Sequence, residues 1–207
     1  MKEKQRIPIV QPVPQDLHIH TTFSSGDTAV AAQQTVEFIA RVRHAEIVGI
    51  SDHFDYLVDG DFAEYEKTVR SFNFYLGTEV DGGAWVFPAS AVNVDYYIYH
   101  CRDRDEDYKG VEILLAAGKP VIIAHPCLMG TDMNRIPSEC LVEINNRYVW
   151  RSDWQSFYRK IVDRSPFRFV IGSDAHQPHW LNQNIARFVA RELGIREYLV
   201  FKGKISV

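Results

Sequence analysis

The sequence predicts an α/β fold, either a barrel or a doubly wound parallel sheet, in a single domain. Three observations predict it. Short runs rich in Val, Ile, Phe and Tyr alternate with helical stretches. Seven such runs occur in 207 residues. No repeat, low-complexity tract or Pro/Gly/Ser-rich linker divides the chain, so residues 1–207 are expected to form one domain.

The expected strands are Val13–Ile19, Ile47–Ser51, Phe72–Glu79, Val92–Tyr99, Pro120–Ala124, Leu141–Asn145 and Phe167–Gly172. Their β-branched and aromatic content suits a pleated, buried surface. The expected helices are Gln33–His44, Asp61–Ser71, Glu106–Ala117, Trp150–Arg164 and Asn182–Leu193. In the first, Val36, Ile39, Ala40 and Val42 fall roughly on one face of a 3.6-residue period. Gly118-Lys119-Pro120 closes one helix and opens a strand. Asp81-Gly82-Gly83-Ala84 reads as a tight hairpin, because paired glycines accept positive φ at both turn positions.

Composition narrows the function classes. Hydrophobic residues are 46 % and charged residues 24 % of the chain, ordinary for a soluble globular protein, which argues against the disordered and membrane classes. No apolar run is long enough to span a bilayer, and Met1 to Val10 lacks the apolar stretch of a secretory leader. Cys101, Cys127 and Cys140 stand far apart without a CxxC pair, which argues against a disulfide framework or a zinc ribbon. Reduced thiols and a cytoplasmic location are therefore expected. The net charge is -4 and no basic stripe appears, so nucleic acid is not an expected partner. The mixed run Arg102 to Asp107 reads as a solvated loop or helix start. No feature points to a particular oligomeric state.

The placement of histidines and acids is the informative pattern. Leu17-His18-Ile19-His20, Ser51-Asp52-His53, Thr78-Glu79, Tyr99-His100, Ala124-His125-Pro126 and Asp174-Ala175-His176 each close a strand or follow it within a few residues. Strand C-termini of a parallel α/β fold lie at one end, so these donors are expected to converge there. Imidazole and carboxylate suit zinc, manganese or iron, and no thiol accompanies them. Residues two apart in a strand share a face, so His18 and His20 can reach one ion. His44 and His179 fall outside the pattern and read as structural or exposed.

Taken in order, Asp16-Leu17-His18-Ile19-His20-Thr21-Thr22-Phe23-Ser24, Ser51-Asp52-His53, Gly77-Thr78-Glu79, His100, Ala124-His125-Pro126 and Gly172-Ser173-Asp174-Ala175-His176 resemble the PHP family, the polymerase-and-histidinol-phosphatase group of metal-dependent phosphoesterases. The motifs run from residue 16 to residue 176. The resemblance implies a distorted (β/α)7 TIM-like barrel with two or three divalent ions at its C-terminal rim. It implies that His18, His20, Glu79 and Asp174 hold one ion, and that Glu79 bridges to a second held by His100 and His125. His53 and His176 would hold a third. Asp27 is the candidate to complete that site, although it stands a residue or two later than the common pattern.

Phosphate esters repel hydroxide, and bound divalent ions lower the pKa of water from about 15.7 to about 7. The expected reaction is in-line attack on a small-molecule phosphate ester by a hydroxide between the ions, held in place by Glu79 and Asp174. Arg135 and Arg147, in loops on the same rim, are candidates to bind phosphate oxygens through bidentate hydrogen bonds. Asp16 or Asp52 is a candidate to accept the second N–H of a ligating imidazole. Trp85, Trp150 and Trp154 read as helix or sheet packing ahead of pocket walls. Two other readings are a nuclease or proofreading module, and an amidohydrolase-type C–N hydrolase. The latter class typically bridges its metals with a strand-end lysine, where this chain has Glu79. A non-catalytic domain that lost its metals is a further reading, opposed by the near-complete donor set.

Overall fold

The computed structural model describes residues 11–58, 62–163 and 166–202. Seven strands, β1 (Val13–Asp16), β2 (Ala45–Ile50), β3 (Tyr75–Asp81), β4 (Tyr96–His100), β5 (Val121–Ile123), β6 (Leu141–Asn145) and β7 (Arg168–Gly172), pair in sequence order. Every pairing is parallel. Beyond the last named strand, Ile19 bridges Ala175 in parallel, His20 N–H donates to the Ala175 carbonyl and Asp174 N–H to that of His18. These contacts bring β7 round to β1, so the sheet is a nearly closed barrel. Parallel neighbours need crossovers, and helices supply them. The helices are α1 (Val36–Val42), α2 (Phe54–Leu57), α3 (Phe62–Ser71), α4 (Gly83–Ser90), α5 (Asp105–Ala116), α6 (Pro126–Met129), α7 (Trp154–Val162) and α8 (Asn184–Glu192). The choice between barrel and open sheet thus falls to the (β/α)7 TIM-like barrel.

The expected hairpin at Asp81–Ala84 is not formed. β3 and β4 run parallel, with Glu79 opposite Ile98, so a tight reversal between them is impossible. Gly82 does use a positive φ, of 85°, but to turn the chain from β3 into α4. That helix carries Pro88 inside it and no amphipathic stripe, which hid it from periodicity. Several boundaries move for local reasons. Thr35 caps α1 by accepting from Phe38 N–H, so the helix starts after Gln33. Asn73, at φ 61°, turns the chain before β3, and Asp153 caps α7 by accepting from Ser156 N–H. Asp61, Arg164 and the Met1–Val10 stretch lie outside the described residues. The three cysteines form no disulfide, and among the described residues no helix is long and apolar enough to cross a membrane.

Strand alternation sorts the core. One face of each strand meets the helices, through residues such as Ile50, Tyr97, Tyr99, Ile123, Ile144 and Ile171. The other faces the barrel interior, where Ile47, Tyr96, Ile98, Ile122, Leu141 and Val170 meet. Tyr96 fills the interior because Gly49 and Gly77 leave room for it. A Cβ at either would lie within 2.4 Å of its ring or hydroxyl. The hydroxyl donates to the Leu17 carbonyl at 2.6 Å. Where the strands begin, the C-terminal segment forms a plug. Phe201 stacks on Tyr75 at 3.9 Å, and the Gln15 side chain holds Tyr198 and Val200 through their main chain. With that end stoppered, the strand C-termini form the open end.

Gly77→Ala is expected to destabilise the fold by about 1–3 kcal/mol, the usual range for overpacking. A denaturant midpoint unchanged from the parent chain would show that Tyr96 is not held in this way.

Candidate metal centre

Along the strands, inward positions change from apolar to polar near the C-terminal rim. On β4 the inward residues are Tyr96, Ile98 and His100; on β3 they include Gly77 and Glu79. On β6 they are Leu141, Glu143 and Asn145. His18 and His20 follow β1, His53 precedes α2, His125 follows β5, and Asp174 and His176 follow β7. The alternation that buries the core therefore carries donors to one mouth.

Glu79 stands at the centre, 2 % exposed. Its Oε1 lies 2.6 Å from His100 Nε2, 3.1 Å from His18 Nε2 and 3.8 Å from His125 Nε2. Its Oε2 lies 3.2 Å from His20 Nε2 and 3.1 Å from His53 Nδ1. Asp174 Oδ1 is 3.2 Å from His176 Nδ1, and 3.9 and 3.8 Å from His18 and His20. Asp27 Oδ2 faces His176 Nε2 at 2.9 Å and His53 Nε2 at 3.5 Å. All nine expected donors thus meet at one mouth. Among the described residues three donor groups are close enough to hold a metal ion: His18, His20 and Glu79; Glu79, His100 and His125; and His20, His53 and His176.

Electrostatics explain the tension in the cluster. Burial alone would push the Glu79 carboxyl up, but the charges of His100, His18, His53 and His20 outweigh it and hold it well below the usual range. Burial drives His20 well below the ordinary histidine value, and repulsion from His176 and His53 adds to that. Burial opposes a charge on His100 too, yet Glu79 and Asp81 raise it to about 10. Asp27 is held low, first by its bond with His53.

The backbone is strained at the same mouth. His125 has φ 29° and Asp174 has φ 54°, conformations that cost a non-glycine residue about 1–3 kcal/mol. Each lies just past a strand end, where the left-handed turn redirects a donor. Behind the donors, Asp52 is fully buried and accepts from Thr21 N–H, Thr21 Oγ1 and Ser24 Oγ. This network ties the loop after His20 to the segment before His53. Burial raises the Asp52 carboxyl to about 6 against these three bonds.

Asp16 and Asp52 do not serve as the expected partners of the clustered imidazoles. Asp16 faces His44 Nε2 and accepts from Ser173 N–H, and Asp52 serves the Thr21–Ser24 loop. Glu143 takes that place for His18, at 2.7 Å, and Asp81 approaches His100 Nδ1 at 3.4 Å. Glu143 and Asn145 are outside the expected set, although two polar side chains at alternating positions of Leu141-Val142-Glu143-Ile144-Asn145 signal an inward polar face. His44 is half-buried and His179 exposed, apart from the cluster.

Seven of the nine donors, all but His18 and His20, border a cleft of about 230 Å³, also lined by Leu128, Met129, Arg147 and Tyr148. Arg147 is in the cleft, as expected. Its Nη1 lies 3.3 Å from Asp174 Oδ1, and its guanidinium stands between the rings of Tyr148 and Trp180. Arg135 is not. It is exposed, pairs with Asp105 at 2.6 Å and lies over the Tyr108 ring, because the acidic start of α5 offers it partners outside the cleft. Trp85 packs near Phe54, Trp154 joins the α7 core and Trp150 is exposed, so Trp180 is the tryptophan beside the donors. A larger hollow of about 430 Å³, around Met133, Phe157 and Phe167, contains no histidine.

Asp52→Ala is expected to cost about 1–3 kcal/mol by leaving buried donors without an acceptor. The loss should appear in metal-free protein by chemical denaturation; parent-like stability would show that the Thr21–Ser24 loop is held by other contacts. No protein-family model matches the chain, and no curated protein matches it.

Proposed function

We propose that the chain is a metal-dependent hydrolase of the PHP type that cleaves a small-molecule phosphate ester. One observation carries the reading: one buried carboxylate, Glu79, shared by four imidazoles from three other strand ends at the open mouth of a parallel barrel. The donor set fits metal ions on its own evidence. Among the described residues His20 Nδ1 and His125 Nδ1 are buried without a hydrogen-bond partner, and Glu79 Oε1 and His100 Nε2, 2.6 Å apart, do not meet in hydrogen-bond geometry. Buried polar atoms are rarely left so unless an ion or water belongs there.

In this reading His18, His20, Glu79 and Asp174 would hold one ion, and Glu79, His100 and His125 a second. His53, His176 and Asp27 form a third site, which the short Asp27 contacts with both imidazoles favour. Zinc, manganese or iron suits these donors. When bound, such ions supply hydroxide at neutral pH and polarise the phosphate ester.

The chain's own side chains do the rest. Glu79 and Asp174 would hold the ions that supply the nucleophile. Arg147 offers planar N–H donors to phosphate oxygens, and the faces of Tyr148 and Trp180 fix its plane. Leu128 and Met129 give the cleft an apolar wall for the organic part of the ester. The cleft of about 230 Å³ falls below the roughly 300–1,000 Å³ usual for drug-sized ligands, which favours a compact ester over a polymer.

Three substrates discriminate the readings: p-nitrophenyl phosphate, single-stranded DNA and an N-acyl amino acid, each with added manganese or zinc. Turnover of the phosphate ester alone is expected. Hydrolysis of DNA without the monoester would move the reading to a nuclease, and N-acyl turnover alone to an amidohydrolase. Chelation should abolish turnover and lower the melting temperature, since an ion at 100 times its Kd adds about 2.7 kcal/mol of stability. Arg147→Ala is expected to raise KM by about 10- to 100-fold, the scale of a lost charged hydrogen bond. An unchanged KM would remove Arg147 from substrate binding.

A further inference from the structure

We propose that Glu143 is a positioning residue that fixes a proton on Nδ1 of His18, reaching it through a gap that Gly172 leaves in β7. The inference rests on the metal-centre reading and adds how one of its donors is aimed.

The chain of bonds starts from a donor whose direction is certain. The backbone N–H of His125 donates to Glu143 Oε2 at 2.8 Å, and Asn145 Nδ2 donates to the same oxygen at 3.0 Å. The other oxygen, Oε1, lies 2.7 Å from His18 Nδ1. A carboxylate has only acceptors to offer, so the proton between them sits on the imidazole. With Nδ1 protonated, the ring in the neutral form that a metal ion requires has its lone pair on Nε2. That atom points at Glu79 Oε1, 3.1 Å away, and at His20 Nε2, 3.2 Å away. Glu143 is 1 % exposed, so water does not compete for this bond.

Geometry shows that the contact is built into the barrel. Glu143 lies on β6 and His18 follows β1, with β7 between them. A Cβ on Gly172 of β7 would lie 2.2 Å from Glu143 Oε1 and 3.0 Å from His18 Cβ. Gly172 has no positive φ, so its backbone does not require glycine. What requires it is the carboxylate that crosses over it. Asn145 also donates to Asp174 Oδ2 at 3.1 Å, so the same group steadies a second donor.

The test combines two readouts. In metal-free protein with ¹⁵N-labelled histidine, His18 is expected to show a hydrogen-bonded Nδ1 proton in slow exchange, and Glu143→Ala to lose it. Zinc affinity, measured by competition with a fluorescent chelator, is expected to fall about 10- to 100-fold in Glu143→Ala. Gly172→Ala should give a similar fall, because its methyl group evicts the carboxylate. Joining the two substitutions should cost no more than Glu143→Ala alone. Glu143→Gln keeps the volume but cannot accept at both ends, so it should also bind weakly; its melting curve checks that folding is intact. A His18 proton confined to Nε2 in the parent chain, parent-like zinc affinity in Glu143→Gln, or additive losses in the double variant would each overturn the proposal. Should the parent chain bind no divalent ion, the hydrolase reading fails, while the imidazole spectra still decide the role of Glu143.

Discussion

One buried carboxylate sets the terms for the whole open end of the barrel. Glu79 cannot be left alone in an apolar interior, because an unpaired buried charge is strongly unfavourable. The chain surrounds it with imidazoles on His18, His20, His53 and His100, all within 3.2 Å. That solution creates a second difficulty. Imidazoles this close repel one another when charged, and the conflict is resolved unevenly: His20 is forced well down while His100 is raised to about 10. Protons satisfy this cluster poorly. A divalent ion shared by several neutral imidazoles and a carboxylate satisfies the same donors without mutual repulsion, which is why the electrostatics and the hydrogen-bond vacancies at Glu79 and His100 point the same way.

Holding such a cluster requires a rigid frame, and the frame is visible in residues that touch no donor tip. Tyr65 lies on α3, and its buried hydroxyl is 2.9 Å from the Ile50 carbonyl and 2.8 Å from that of Gly77, tying the end of β2 to β3. Asp52 gathers the loop after His20. Tyr96 fills the space beneath the donors, and Phe201 with Tyr75 seals the far end. The positive φ angles at His125 and Asp174 fit this division of labour. Strain of about 1–3 kcal/mol at each is tolerable only where the surrounding structure over-determines the conformation.

The sequence exposed the donors well because two simple rules coincide in them. Parallel strands end at one mouth, and His18, His53, Glu79, His100, His125 and Asp174 all stand at strand ends. The strand-by-strand alternation of Leu141–Asn145 was equally plain, and its bounds match the structure. What stayed hidden depends on contacts across the barrel. Arg135 and Arg147 occupy similar loops in sequence, and only the acidic start of α5 draws the first away. Asp16, Asp52 and Glu143 are all candidate partners for an imidazole by composition. Which of them reaches a clustered imidazole depends on contacts between strands: Asp16 faces His44, Asp52 holds the Thr21–Ser24 loop, and Glu143 reaches His18 across β7. The glycine pair Gly82-Gly83 was ambiguous for the same reason, since a positive φ serves a hairpin or a strand-to-helix turn equally well.

The closure itself has a consequence for the site. β7 meets β1 through a bridge between Ile19 and Ala175 and two backbone hydrogen bonds, a shorter ladder than β3 makes with β4 or β6 with β7. His18 and His20 stand on one side of that seam, and Asp174 and His176 on the other. Their side chains meet across it, with His20 and His176 rings 4.0 Å apart between centroids. These four donors therefore sit where β7 and β1 share a single bridge, and an ion held by both sides would tie β1 to β7 where few main-chain bonds do. Glu143, spanning the same seam from β6 over Gly172, adds a side-chain link to it. The backbone bond from Asp174 N–H to the His18 carbonyl lies in that seam, so the ladder that closes the barrel and the donor cluster share residues.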